Sequence, residues 1–151
     1  MVICLTETWT RSNISDNELQ LDGYTLKIRK DKTSNEDGRG GGILVYVMDT
    51  LTAEEDPTFL NYNFNKVTCL KVKTKRSFVR IITVYRSPSL HVPNNEALER
   101  LVGSLDSQSI LVGDFNYRSV DWSKRTASDA LGRRFLDACE DAFLTQHVVF
   151  P

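Results

Sequence analysis

The 151 residues of this chain are enough for one domain with a sizeable core, since a domain of this length buries about 70% of its unfolded surface. Hydrophobic residues make up 40% and charged residues 26% of the chain, a balance that excludes wholesale disorder. The formal net charge of −1 excludes the basic footprint of a dedicated DNA-binding domain, so any contact with nucleic acid has to be local.

The sequence carries no signal for membrane insertion or export. No apolar run approaches the roughly 20 residues that span a bilayer, and the first five residues lack the basic start of a signal peptide. We therefore expect an intracellular protein. Cys4, Cys69 and Cys139 are far apart and form no Cys-x-x-Cys pair, which predicts reduced cysteines in the core and no zinc site.

Hydrophobic periodicity predicts strands and two helices in mixed order, as in an α/β fold. Polar connections are predicted at 11–20 and 49–65, the first as a loop or short helix, and a glycine-rich turn at 38–42. The predicted strands are 2–5, 24–29, Ile43–Met48, 66–73, Phe78–Tyr85, 110–112 and the start of another at 144–150.

Two apolar stripes at helical spacing predict the helices. The first helix starts near 93–95 and the second is capped by Ser128 or Asp129. Their stripes are Leu98, Leu101, Val102 and Leu105 in the first, and Leu131, Phe135, Ala138 and Ala142 in the second.

The runs at 2–5 and 110–112 are continuously apolar, which predicts strands buried on both faces. A buried strand needs a neighbour on each side. A start at residue 2 therefore leads us to expect that something precedes this segment.

Polar side chains follow three of the predicted strands. Glu7 comes after the first, Tyr85 and Arg86 end the fifth, and Asp114 and Asn116 follow the strand at 110–112. Singly, each carboxylate is explained as a turn former. If the strands are neighbours, the groups converge on one rim of a sheet. Two acids on separate strands are then suited to hold Mg²⁺, which takes one or two protein carboxylates.

The motifs at these strand ends resemble those of the endonuclease/exonuclease/phosphatase superfamily. They are Glu7-Thr8-Trp9, Tyr85-Arg86-Ser87-Pro88 and, most specific, Gly113-Asp114-Phe115-Asn116. The chain is most similar to the apurinic-endonuclease-like domain of non-LTR retrotransposons, in which glycines before a strand and a tryptophan after the Asp-x-Asn pair also recur. The resemblance implies a deoxyribonuclease-like fold, a partial four-layer α/β sandwich of mixed β-sheets flanked by helices.

The sequence departs from the family pattern at both ends. An asparagine on a strand before Glu7 and a Ser-Asp-His motif after the tail are both missing, and neither His91 nor His147 matches the family histidine. We expect residues 1–151 to be a single domain that is incomplete at its N- and C-terminal ends, with little activity alone.

By this resemblance the reaction is metal-dependent hydrolysis of a phosphodiester. Glu7 is implied as the ligand of Mg²⁺ or Mn²⁺. Asp114 is implied as the base that orients and deprotonates water, with Asn116 holding the phosphate or the bound water and Tyr85 donating to a phosphate oxygen. Arg86 is a further candidate for a phosphate contact.

Other residues are candidates for DNA contacts. Arg118, with Lys124 and Arg125, directly follows the Asp-x-Asn loop, although a solvated basic face explains these side chains equally well. Trp122 either wedges against a base or packs beneath the loop.

Three functional hypotheses follow from the resemblance. The first is a DNA endonuclease segment of a retroelement polyprotein, nuclear when it acts on DNA, which nicks a target for an associated reverse transcriptase. The second is a truncated, inactive remnant that at most binds nucleic acid or a partner. The third is a phosphatase or phosphodiesterase of the same superfamily acting on inositol phosphates or lipids.

Overall fold

Two β-sheets packed face to face form the centre of the fold, and two helices cover the outer face of one of them. The structure is a computed structural model that describes residues 1–32, 41–62, 64, 66–87 and 92–148. Its strands are β1 (Val2–Thr6), β2 (Tyr24–Lys30), β3 (Ile43–Met48), β4 (Ala53–Glu55), β5 (Val67–Lys73), β6 (Phe78–Tyr85), β7 (Ser109–Asp114), β8 (Val120–Asp121) and β9 (Thr126–Ala127). The helices are α1 (Val92–Gly103) and α2 (Ala130–Asp141).

The first sheet is antiparallel, in the order β1-β3-β2. Its central strand β3 is buried over Ile43 to Val47, which explains why this run is apolar without alternation. The tyrosine at the middle of β3, Tyr46, donates its hydroxyl to the carbonyl of Leu19 at the end of a 3₁₀ helix, Asp16–Leu19. This contact covers the outer face of the sheet.

The second sheet has the order β4-β5-β6-β7. The hairpin of β5 and β6 pairs Lys73 with Phe78 at the turn and Val67 with Val84 at the far end. β7 then runs parallel to β6, with Tyr85 opposite Asp114, after a crossover that contains α1. The parallel pair brings the carboxyl ends of β6 and β7 to the same edge.

Two apolar cores lie on the two sides of the second sheet. Between the sheets, the core includes Ile28, Val45, Leu70 and Tyr85. On the helix side, Ile82 and Val84 of β6 pack with residues of both helices, namely Leu98, Leu101, Val102 and Phe135. Alternate residues of β6 therefore serve different cores, and this alternation fixes which side chains face the first sheet.

The mixed α/β sandwich predicted from the sequence is confirmed, and so are its main strands and helices. Asp129 is the N-cap of α2 and accepts from the backbone N–H of Gly132 at 2.7 Å, as predicted. The predicted connections at 11–20 and 49–65 contain 3₁₀ helices, and the second also contains β4, which the sequence did not indicate. The short β8–β9 hairpin was likewise missed because each strand has only two residues.

Some predictions about burial and ends were wrong. β1 and β7 are not buried on both faces, because each is an edge strand in the described part of the structure; Leu5 is 43% and Ile110 50% exposed. The tail forms no strand over 144–148, and its last residues lie outside the described ones. Leu105 and Ala142 fall just beyond their helices. Residues 38–40 of the glycine-rich turn lie outside the described residues as well.

Cysteine chemistry follows the prediction of reduced thiols. Cys4, Cys69 and Cys139 are free; Cys69 is buried and the other two are half-buried. Burial raises the pKa of the Cys69 thiol to about 12 and that of Cys139 to about 11, which keeps both protonated at neutral pH. Among the described residues, no helix has the length and apolar character needed to span a membrane.

Gly113 tests the close pairing of β6 and β7. Its φ of 140° is in the region that favours glycine, and an added Cβ would overlap the backbone carbonyl of Val84. We expect Gly113→Ala to lower the free energy of unfolding by more than about 2 kcal/mol, measured by urea denaturation. Gly103→Ala is the control, because its Cβ meets no atom within 4 Å. Equal effects of the two substitutions would contradict this account.

Candidate active site

The ends of three strands meet at one place between the sheets. Tyr85 and Asp114 are paired at the ends of β6 and β7, and their side chains face the first sheet. β1 of that sheet ends beside them, and the Tyr85 hydroxyl donates to Glu7 Oε1 at 2.7 Å. The predicted neighbours are therefore brought together, although across two sheets and not on the rim of one.

The backbone after β1 holds Glu7 in an uncommon conformation. Glu7 and Trp9 have φ angles of 54° and 58°, left-handed values that side-chain-bearing residues rarely adopt. Hydrogen bonds on both sides keep the loop in place: Trp9 N donates to Gly41 O at 3.0 Å, and Lys32 N donates to Thr10 O at 2.9 Å. Such strain, held by surrounding contacts, is typical of functional sites.

The turn after β7 is fixed in a similar way. Asp114 Oδ1 accepts from the backbone N–H of Asn116 at 3.1 Å, and Asn116 has a φ of 49°. Asn116 Nδ2 donates to the carbonyl of Arg86 at 2.9 Å, which ties this turn to the end of β6. The second hydrogen of the Asn116 amide has no acceptor among the described residues, so a ligand can accept it.

Arg86 is placed differently from the other candidates. It is only 3% exposed, and its guanidinium donates to Asn95 Oδ1 at 2.8 Å and to the carbonyls of Phe115 and Asn116 at 3.2 and 3.0 Å. It also lies over the ring of Tyr117, 4.0 Å from the centroid. This position suits a residue that shapes the Asp114 turn from beneath, and it leaves little of Arg86 for a phosphate.

Aromatic side chains anchor the same loop to α2. Phe135 of α2 stacks with Tyr117 at 4.4 Å between ring centroids and contacts Phe115 at 5.3 Å. Trp122 meets Phe135 edge-on at 6.2 Å, so the structure places it beneath the loop. Burial raises the pKa of the Tyr117 phenol to about 12 and keeps it neutral.

Arg118 is exposed on this loop, within reach of solvent and outside the hydrogen-bonded cluster. His147 is also exposed, in the tail after α2, and His91 lies outside the described residues. The structure therefore brings Glu7, Tyr85, Asp114 and Asn116 together, places Arg86 below them, and leaves Arg118 at the rim.

One cation of the site was not predicted. The Lys66 ammonium lies 4.9 Å from the centroid of the Tyr85 ring, and Tyr85 N donates to Lys66 O. The sequence held a signal for it, because a hairpin with its turn at 74–77 sets Lys66 opposite Tyr85. A positive charge beside Tyr85 favours an anionic substrate near that residue.

The donor set fits a divalent cation of the Mg²⁺ class. Glu7 is exposed and Asp114 half-buried, and each has one carboxylate oxygen that accepts no hydrogen bond from the described residues. Hard cations prefer such oxygens. No group of three or more His, Cys, Asp or Glu side chains at metal-binding spacing is found within the described ranges. Mg²⁺ commonly binds through one or two carboxylates together with water and substrate oxygens.

One family model matches the second half of the sequence. Residues 79–149 match the model of a family described as endonuclease-reverse transcriptase. The matched segment begins in β6 and contains Tyr85, Asp114 and Asn116, whereas Glu7 precedes it. No curated protein sequence matches the chain.

Two solved structures share the fold at 16% sequence identity. The endonuclease domain of TRAS1, a telomere-specific non-LTR retrotransposon, superimposes with a TM-score of 0.53 over 79% of this chain. The 3′ phosphatase NExo from Neisseria, bound to a product DNA hairpin, superimposes with a TM-score of 0.61 over 93%. The chain spans 52% and 60% of these proteins, respectively.

The supporting position of Arg86 is tested by its stability effect. We expect Arg86→Leu to lower the free energy of unfolding by about 2–4 kcal/mol in urea denaturation, because Asn95 and two backbone carbonyls lose a charged donor. Arg118→Leu, the same change at an exposed position, should shift it by less than about 0.5 kcal/mol. A stable Arg86→Leu variant would instead release Arg86 for a direct role with phosphate.

Proposed function

We propose that this chain is a DNA endonuclease segment of the endonuclease/exonuclease/phosphatase superfamily that hydrolyses a phosphodiester with a divalent metal. The match of residues 79–149 to the endonuclease-reverse transcriptase model and the shared fold support the proposal. The observation that carries the proposal is the hydrogen bond from Tyr85 to Glu7 beside Asp114. It brings together a hydrogen-bond donor, Tyr85, a candidate metal ligand, Glu7, and a candidate base, Asp114.

Asp114 is the proposed general base. Its Oδ1 accepts from the backbone N–H of Asn116, which restricts the orientation of the half-buried carboxylate and of its second oxygen. A carboxylate held in this way orients a water molecule and accepts its proton as the oxygen attacks phosphorus. Asn116 offers its remaining N–H to a non-bridging phosphate oxygen.

Glu7 is the proposed metal ligand. Its carboxylate would hold Mg²⁺ or Mn²⁺, which would supply polarisation of the phosphoryl oxygen and stabilisation of the leaving alkoxide. Tyr85 orients the Glu7 carboxylate by donating its single hydroxyl hydrogen to it. Donation to a bound phosphate would replace this bond as charge builds on the phosphate oxygen. Lys66 adds positive potential beside this group.

The biological setting is proposed from the comparisons. The match to an endonuclease-reverse transcriptase family and the likeness to a retrotransposon endonuclease domain support this setting. The chain is then a segment of a longer polyprotein that nicks target DNA in the nucleus, so that a reverse transcriptase can prime from the nick. In this setting residues 1–151 are one domain that acts together with further parts of the polyprotein. Arg118 is the proposed rim contact to the DNA backbone, while Trp122 contributes by holding the loop against Phe135.

An inactive domain is the second candidate. It is favoured by the small number of acidic ligands, since Glu7 and Asp114 have no third metal-binding side chain beside them in the described part of the chain. In that case the site binds nucleic acid and does not cleave it.

Plasmid nicking in the presence of Mg²⁺ tests the proposal. We expect Asp114→Asn to reduce the rate by about 10²–10⁴-fold through loss of the base, and Tyr85→Phe by about 10²-fold through loss of a donor. Asp137→Asn, at an exposed position on α2, is the matched control and should retain the rate. Wild-type cleavage that Asp114→Asn leaves unchanged would refute the assignment. Hydrolysis of a soluble inositol phosphate but not of DNA would favour a phosphatase.

Metal binding is tested separately by titration calorimetry with MgCl₂ and MnCl₂. We expect Glu7→Gln to weaken binding at least about tenfold, because it removes the charge of the main ligand. Glu140→Gln changes an exposed carboxylate on α2 and should leave the affinity unchanged. Equal affinity in the wild type and Glu7→Gln would remove Glu7 from the metal site.

A further inference from the structure

A tryptophan stands exposed beside the proposed metal ligand. Trp9 is 47% exposed and follows Glu7 by two residues. The side chains alternate along this loop: Glu7 and Trp9 are exposed, whereas Thr8 is half-buried and Thr10 buried. Single exposed apolar side chains are common on protein surfaces, so exposure alone indicates nothing. Three further observations set Trp9 apart.

The first is the backbone that carries it. Trp9 has a φ of 58°, which costs free energy for a residue with a bulky side chain. Its N–H is bound to Gly41 O, and Gly42 fits against the same loop because an added Cβ would meet Thr8 Oγ1 and lie 3.3 Å from Trp9 N. These contacts keep the Trp9 backbone in its left-handed conformation while the ring stays 47% exposed.

The second is a cation on the ring. The Lys32 ammonium lies 4.9 Å from the centroid of the Trp9 ring, and the Lys32 backbone is bonded to Thr10 at the base of the loop. Lysine above an indole is a cation–π pair, which fixes the ring and places a positive charge at its side. The ring presents a flat apolar surface, and the Lys32 ammonium beside it is a group that can contact phosphate.

The third is the contrast with the other tryptophan. The chain has two tryptophans, and Trp122 packs edge-on against Phe135 at the helix-side core. Trp9 lies in the loop after β1 of the first sheet and is not among the residues packed in that aromatic cluster.

We propose that Trp9 and Lys32 form a base-stacking site for an unpaired nucleobase of the DNA strand that is bound at Glu7 and Asp114. The indole stacks on the base and Lys32 contacts a phosphate of the same strand. The ligand is a single strand or a locally opened duplex, because a base in an intact stack has no free face for the ring. This inference rests on the proposed function, since it names the form of DNA that the same site takes.

Intrinsic tryptophan fluorescence tests it. The Trp122→Phe variant leaves Trp9 as the reporter, and it is titrated with a single-stranded oligothymidylate of about 12 nucleotides, within the site sizes of single-strand-binding domains. We expect saturable quenching. A backbone of the same length in which every nucleotide is abasic should bind by charge without quenching. The Trp9→Phe variant, with Trp122 as the reporter, should show no quenching with either ligand.

Affinity is measured in parallel by fluorescence anisotropy of the labelled oligothymidylate. Trp9→Ala should raise Kd about tenfold for the oligothymidylate and leave Kd for the abasic backbone unchanged. Equal losses for the two ligands, or quenching by the abasic backbone, would overturn the stacking site and assign Trp9 to loop structure. If the protein does not nick DNA but still shows base-dependent quenching, the proposed endonuclease activity is wrong and the stacking site stands. If the protein nicks DNA but shows no quenching, only the stacking site is overturned.

Discussion

The hydrogen bond between Tyr85 and Glu7 is the contact on which the site depends. Its two residues belong to different sheets, and Tyr85 is fully buried in the core between them. The bond therefore sets the position of a carboxylate on the first sheet relative to Asp114 on the second. The face-to-face packing of two sheets becomes a means of placing two acids from distant parts of the sequence within one site.

Backbone strain is concentrated around this contact. Glu7, Trp9 and Asn116 all have left-handed φ values, and Gly113 has a conformation that favours glycine. Each is held by specific partners: the Tyr85 hydroxyl for the Glu7 side chain, Gly41 for Trp9, Arg86 O for the Asn116 side chain, and the Val84 carbonyl against Gly113. Rigid holding of strained residues lowers the entropic cost of binding a substrate, because the groups are already in place.

Much of this arrangement was accessible from sequence. Apolar runs that end in polar residues located Glu7, Tyr85 and Asp114, and the helical stripes located α1 and α2. The burial of Arg86 could not be predicted from the sequence. An arginine after a strand gives the same sequence pattern whether its guanidinium binds phosphate or backbone carbonyl oxygens. Trp9 was part of a recognised motif, but its exposure depends on a left-handed backbone that no local pattern encodes. β1 and β7 were misjudged because an apolar run does not reveal how many neighbours its strand has.

The register of the β5–β6 hairpin has a consequence at long range. Phe78, the first residue after the turn at 74–77, lies seven residue steps from Tyr85 along β6, about 23 Å at the usual rise of a strand. If the pairing slipped by one residue there, every side chain of β6 would change faces, and the Tyr85 hydroxyl would point into the helix-side core. The turn at 74–77 therefore helps to determine, from a distance, whether Tyr85 of the second sheet can reach Glu7 of the first.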